Sequence, residues 1–299
     1  HAVSFLPPLT PHLGCVRSVT TFGFTYGKLD GAEQSSYMLL LERCDCDLGS
    51  LIYPKAGSEE EGQLSAPLMM KIATEMADGL AYLHSRGIKH LDMKPGNVLM
   101  VREGAGKEGW SVRIADFGME DDKEDDGDWQ SKEDDEVYGT WECGITAAPS
   151  WLCRLTARVS RRYMAPECLK RKFGRPVFAS DVFSYAIILW ELWARRRVYT
   201  GFLNLEDNID KAHLKETGES RVDVKLVASR MAAYQRPELP EDCPALWALL
   251  MQACWVAAMD KRPKFEQVLG AVEKIAGTPA ALDAPELPAD SPTEEPEPE

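Results

Sequence analysis

An α+β fold, with strands early and helices after them, is what this sequence predicts, and three observations predict it. A continuous apolar run of strand length, Tyr37–Leu41, stands near the start. Two further strand-like runs, Val98–Val101 and Val112–Ala115, flank a polar, Gly-rich turn. Three segments, after Ser65, over 180–194 and over 265–275, carry apolar residues at helical spacing or nearly all the way round. The 299 residues suffice for two domains or for one large domain with two lobes.

The elements follow in order. Residues 1–53 mix short apolar runs with turn residues. Tyr37–Leu41 reads as a buried strand, and a preceding strand is expected around Cys15–Phe22. Pro54–Gly62 is a loop. Ser65 is a good N-cap, and Pro67 falls in the first turn, where its missing N–H costs nothing. Ile72, Met76, Leu80 and Leu83 then mark one buried helix face, and Gly87 supplies the stop. Arg102–Gly109 joins the next two strands as a hairpin. Ser180 can cap the segment 180–194, whose apolar residues run almost all round, so that helix belongs at the centre of a domain. Phe265, Val268, Leu269, Val272 and Ile275 line one face of a last helix. Two segments read as solvated: the acidic run 119–136, whose like charges repel, and a Pro-, Glu- and Ala-rich tail from about Gly277.

Composition narrows the function classes. A formal net charge of −14 argues against nucleic-acid and anionic-membrane partners, which need a basic face. No segment reads as a signal peptide, and no run of about 20 apolar residues reads as a membrane span. The eight cysteines form no CxxC pair and read as reduced thiols, which places the chain in the cytoplasm or nucleus, with cytoplasm preferred. Cys44 and Cys46 are at most half a zinc site, since no second half follows. A start at His1 rather than Met suggests a fragment, a processed product or an incomplete gene model.

The chemistry-bearing signal is His90-Leu91-Asp92-Met93-Lys94-Pro95-Gly96-Asn97, on a loop between a helix and a hairpin. Asp116-Phe117-Gly118 follows at the end of the second hairpin strand. Either motif alone is a common turn or cap. In this order, spacing and bracketing they resemble the catalytic loop and the DFG motif of the protein kinase family. That resemblance implies a two-lobed kinase-like fold and ATP- and Mg²⁺-dependent phosphorylation of protein serine or threonine. It implies Asp92 as the base that accepts the substrate hydroxyl's proton, and Lys94 as the cation offsetting charge on the transferred phosphoryl group. Asn97 and Asp116 are then the oxygen ligands of Mg²⁺. Lysine two places after Asp92 matches the serine/threonine branch.

More of the family pattern follows. Met164-Ala165-Pro166-Glu167 resembles the motif closing the activation segment, 116–167 here. Ser180–Ala186 resembles the start of the central helix, whose aspartate, Asp181, holds the catalytic loop's backbone. Lys261-Arg262-Pro263-Lys264-Phe265 resembles the last block, and by that resemblance Arg262 pairs with Glu167. Glu42-Arg43-Cys44 resembles the hinge that hydrogen-bonds adenine through its backbone. Leu41 is then the gatekeeper, Asp47 a ribose contact and Leu99 a residue against the adenine face. A core leucine and a solvated aspartate are the bland readings of the last two. Trp190 and Trp255 suggest the tyrosine-kinase-like group. The division that results is a small-lobe remnant (1–43), a large lobe with hinge (44–276) and the acidic tail (277–299).

Three departures stand against this pattern. Gly14, Gly23, Gly27 and Gly31 lack GxGxxG spacing, and no VAIK-like lysine precedes residue 37. Those parts cover and neutralise the ATP phosphates, so this chain is expected to bind ATP weakly and to transfer phosphate poorly or not at all. Leu91 replaces the arginine that usually grips an activation-loop phosphate, which suggests activity without that phosphorylation. The activation segment is long, and Gly139–Val159 has no clear pattern, as an insert or a mis-spliced translation would not. The competing function class is a non-catalytic scaffold, or pseudokinase, that binds protein partners.

Overall fold

In a computed structural model of the chain, residues 17–27, 36–58, 62, 64–103, 109–117, 162–169, 173–199 and 236–277 are described. The acidic run, the Gly139–Val159 stretch, Gly118 and the tail beyond Gly277 lie outside them. Over the described residues the fold is the two-lobed one expected: a small β-rich lobe and a mainly helical lobe.

Strands β1 (Thr21–Gly27) and β2 (Ser36–Leu41) form an antiparallel ribbon, with Phe24 opposite Leu39 and a bulge between Thr21 and Gly23. The first strand among the described residues starts at Thr21, within the expected Cys15–Phe22, whose residues 15 and 16 lie outside the described residues. Its predicted partner forms, but it is not the buried strand expected. Leu39 is 64% exposed and Leu41 47%, because their side chains project from a face of the ribbon that is left open to solvent.

A second sheet has the order β3-β4-β5: β3 (Cys46–Asp47), β4 (Val98–Arg102) and β5 (Trp110–Ile114), all antiparallel. Val98 and Met100 of β4 face the core, while Leu99 and Val101 face the other side, as a period of two requires. The segment before β1 docks here too. Ser18 bridges Ile114 in parallel fashion, and Val19 N–H donates to Ile114 O at 3.0 Å.

The helices bracket the sheet. Asp47 caps α1 (Leu48–Ile52). Ser65 Oγ caps α2 (Ala66–Ser85) by accepting Leu68 N–H at 3.3 Å, and Ile72, Met76, Leu80 and Leu83 are its buried face, as predicted. Gly87, at φ +77°, ends it. Gly79 lets β5 come close: a Cβ there would lie 2.6 Å from Ile114 Cδ1. Helix α3 (Pro166–Leu169) is one turn. Helix α4 (Phe178–Ala194) runs through the core with Ser180–Leu192 all buried, the central helix its apolar surface predicted. It begins two residues before Ser180. Ser180 lies in the first turn, its Oγ accepting Val177 N–H at 3.1 Å and donating to Glu167 Oε1 at 2.8 Å. Tyr185 OH ties α4 to α2 at Ala73 O (3.0 Å), and Trp247 Nε1 of α5 (Ala245–Cys254) donates to Leu189 O. Phe265, Val268, Val272 and Ile275 of α6 (Phe265–Ala276) complete the core. Among the described residues no helix is long and apolar enough to cross a membrane.

Candidate active site

The loop from His90 to Asn97 joins α2 to β4, and α4 holds it from below. Asp181, fully buried, accepts three hydrogen bonds: His90 N–H to Oδ2 (2.8 Å), Leu91 N–H to Oδ1 (2.7 Å), and His84 Nε2–H to Oδ2 (2.8 Å). A buried carboxylate satisfied in this way fixes two consecutive backbone amides. That fixing is needed, since Leu91 sits at φ +60°, where a side chain is strained.

His90 is the second fixed point. Its Nδ1 accepts Asp92 N–H at 3.3 Å, so the ring proton is on Nε2 and donates to Ala115 O at 2.9 Å. Burial pushes the imidazole's pKa down, which keeps it neutral and in this tautomer. Ala115 N–H in turn donates to Asn97 O at 2.9 Å. The end of β5 is therefore stitched to the loop on both sides, immediately before Asp116, which turns out at φ +58°. Phe117 stands edge-on to His90, ring centroids 6.4 Å apart.

Asp92, Lys94 and Asn97 form one cluster. Lys94 Nζ lies 2.6 Å from Asp92 Oδ2. Asn97 Nδ2 donates to the same oxygen at 3.0 Å and to Asp92 O at 2.9 Å. Oδ1 of Asp92 takes no hydrogen bond among the described residues, and the side chain is 33% exposed. The aspartate is thus oriented through one oxygen and open through the other.

The donor set fits Mg²⁺. Asn97 spends its amide nitrogen on Asp92, which leaves Oδ1, a hard oxygen of the kind Mg²⁺ takes, uncommitted among the described residues. The Asp116 carboxylate is exposed and makes no hydrogen bond or ion pair among the described residues. One carboxylate and one amide oxygen suit an ion that keeps several waters and takes the rest of its shell from phosphates. Among the described residues no group of three or more His, Cys, Asp or Glu could hold a metal, and Cys44 and Cys46 have no further ligand.

The residues expected around adenine lie at the end of β2, in the segment after it, and on β3 and β4. Leu41 ends β2, and Glu42, Arg43 and Cys44 follow it. Cys44 Sγ lies 3.9 Å from Glu42 O, and burial, then the Glu42 charge, pushes its thiol pKa up. Asp47 Oδ1 accepts Ser50 N–H at 2.9 Å and lies 3.4 Å from Ser50 Oγ, so half of the expected ribose contact is a helix cap. Leu99 is partly buried on the face of β4 turned away from the core. Two parts of the site carried no signal in the sequence: His84, one more histidine on a helix, and Arg113, which is paired with Glu42 and Glu103.

Residues 25–272 match the family model described as the protein kinase domain. The chain is 32% identical over 221 residues to serine/threonine-protein kinase mos of Xenopus laevis, covering 71% of this chain and 48% of that protein. It is 27% identical over 235 residues to receptor-interacting serine/threonine-protein kinase 1 of Homo sapiens, covering 78% and 29%. To serine/threonine/tyrosine-protein kinase HT1 of Arabidopsis thaliana it is 28% identical over 217 residues, covering 72% and 42%. The chain thus spans half or less of the length of these curated relatives. With the family model covering most of the chain and the loop geometry above, the chain belongs to the protein kinase domain family, of the serine/threonine kind.

Proposed function

We propose that the protein transfers the γ-phosphoryl group of ATP to serine or threonine hydroxyls of protein substrates, as a member of the tyrosine-kinase-like group. The observation that carries this reading is Asp92, held through Oδ2 by Lys94 and Asn97 with Oδ1 open to a substrate hydroxyl. That oxygen accepts the hydroxyl's proton. Lys94 stands beside it as the cation against which charge on the moving phosphoryl group is offset. Mg²⁺, which Asn97 and Asp116 would hold, neutralises phosphate charge when bound. Leu41, Glu42, Cys44, Asp47 and Leu99 form the adenosine side of the cleft in this reading. The chain divides into a small lobe (1–43), a large lobe (44–276) and a tail (277–299). Among the described residues Cys44, Cys46, Cys168, Cys243 and Cys254 form no disulfide, which suits the cytoplasm.

The test compares wild-type protein with Asp92→Asn on a Ser/Thr peptide panel with ATP and Mg²⁺. The expected result is a loss of about 10²-fold or more in kcat with little change in nucleotide affinity. Equal, measurable rates in both would overturn the assignment.

A second reading rests on a separate observation. No GxGxxG spacing and no VAIK-like lysine precede residue 37. Residues 1–37 thus offer the ATP phosphates no such cradle, and a scaffold needs none. Thermal-shift measurement with Mg²⁺ and ATP separates the two: a clear upward shift favours the enzyme, and none favours the scaffold.

A further inference from the structure

Behind the segment that follows β2, an arginine is sunk among carboxylates. Arg113 of β5 has a side chain only 10% exposed. Its Nε donates to Glu42 Oε1 at 3.1 Å, Nη2 to Glu103 Oε1 at 2.6 Å, and Nη1 to Val112 O at 3.0 Å. Each carboxylate is held again from its other oxygen. Glu42 Oε2 accepts Thr20 N–H at 3.1 Å, and Glu103 Oε2 accepts Ser111 Oγ–H at 2.7 Å. Hydrogen bonds from Ser111 and Arg113 keep the Glu103 carboxyl below its ordinary pKa, so this end of the network stays charged.

The network joins two sheets. Thr20 and Glu42 bracket the β1–β2 ribbon, and Glu42 N–H also returns to Thr20 O at 2.8 Å. Arg113, Ser111 and Glu103 belong to the β4–β5 hairpin of the other sheet. A two-stranded ribbon has little order of its own. It takes its position from the bridge of Ser18 to Ile114 and from this charged clasp. Across the β4–β5 ladder Arg113 stands directly opposite Leu99, so the two side chains share one face of the sheet.

We infer that Arg113 is a positioning residue for adenine: through Glu42 it sets where the backbone of Glu42–Cys44 stands relative to Leu99. This rests on the reading of that backbone as the adenine hinge. The guanidinium touches no substrate. It acts by fixing one carboxylate, and a planar fork with two carboxylate partners fixes it in a way a lysine ammonium does not. The neutralised burial matters as well. Removing the arginine leaves Glu42 partly buried with no counter-charge, and its relief is to swing outward and carry the hinge with it.

The test uses Arg113→Met, which keeps the stem, and Arg113→Lys, which keeps the charge, in the whole chain. Two measurements are made: amide hydrogen exchange over 18–20 and 42–44, and adenosine affinity by calorimetry. Adenosine is the probe because it makes no demand on a phosphate loop. Arg113→Met is expected to speed exchange at Thr20 and Glu42 at least 10-fold, with exchange in α4 and α6 unchanged, and to weaken adenosine about 10-fold. Arg113→Lys is expected to fall between wild type and Arg113→Met. A merely structural arginine would speed exchange throughout the chain and leave adenosine affinity in the folded fraction unchanged. That outcome, or unaltered exchange at Thr20 and Glu42, overturns the inference. Should wild-type protein bind no adenosine at saturating concentration, the hinge reading fails and adenine positioning by Arg113 fails with it; the exchange data then report only whether the clasp holds the ribbon.

Discussion

Arg262 and Glu167 meet in a bidentate ion pair with both side chains out of solvent, 0% and 1% exposed: Nη1 lies 2.6 Å from Oε1, and Nη2 3.1 Å from Oε2. The remaining donors are used on the backbone carbonyls of Val256, Ala257 and Ala179, and the guanidinium stacks 5.1 Å from the Phe183 ring centroid. Every donor direction is thus answered, which is the condition under which a buried pair holds rather than weakens a fold. Arg262→Ala strands the Glu167 carboxylate and leaves three carbonyls short of a donor. The expected loss is about 3–5 kcal/mol in urea unfolding. A loss under about 1 kcal/mol, the worth of an exposed pair, would show that water reaches this site.

Asp181 carries a comparable weight in one carboxylate. It satisfies two loop amides and His84 from inside α4. Asp181→Ala leaves those donors buried without acceptors, at about 1–3 kcal/mol each before relaxation. Amide exchange at His90 and Leu91 should rise far more than at α6, and phosphotransfer should fall with it. Unchanged exchange at those two amides would show that the loop holds its shape unaided.

Much of this was legible in the sequence, and the exceptions have physical reasons. The Ser65 cap, the buried face of α2 and the all-round burial of α4 follow from spacing alone, because helix packing repeats every 3.6 residues. The Asp181 contacts and the Arg262–Glu167 pair came through family resemblance, since 95 residues separate that pair in the chain. The exposure of Leu39 and Leu41 is not legible there, because an apolar run reports a strand without saying whether anything covers it. The family resemblance points Asp47 toward a ligand, whereas half of its carboxylate caps a helix. The Arg113 clasp was invisible. Three charged residues at positions 42, 103 and 113 share no periodicity, and only the folding of two sheets brings them together.

His90 gives the site a pH dependence with a definite sign. Burial is the main cause of its lowered pKa, against weaker opposing attraction from Asp181 and Asp92. Above the ordinary histidine value of 6.5 both folded and unfolded chains carry a neutral ring, and His90 contributes no pH dependence. Below it the unfolded chain takes up a proton that the folded chain resists, so stability falls as the pH drops. One proton sets the limit at about 1.4 kcal/mol per pH unit. Urea unfolding of wild type and His90→Gln between pH 7.5 and 5.5 checks this. The wild type should lose the extra stability over that range, and parallel curves for the two proteins would mean that His90 is solvated.

Leu91 occupies the position where the family's arginine couples activity to activation-loop phosphorylation. Here its side chain packs against the hydrophobic core and its N–H is committed to Asp181. A leucine offers a phosphate no charge and no hydrogen bond, so a phosphate on the activation segment has no partner at this point of the loop. The loop's geometry is instead fixed from within, by Asp181 below and His90 beside it. Activity should therefore survive loss of the phosphorylatable hydroxyls. Joint alanine replacement of Ser131, Thr140, Thr146, Ser150, Thr156 and Ser160 in the full-length protein is expected to keep kcat/KM within about 3-fold of wild type, a change under about 1 kcal/mol in transition-state terms. Complete loss of activity would show that a phosphate is needed and is gripped elsewhere. The companion variant, Leu91→Arg, removes a core contact and should cost about 1–2 kcal/mol of stability without raising activity unless the segment is phosphorylated. A rise in activity of the unphosphorylated protein would mean that the leucine is itself a brake.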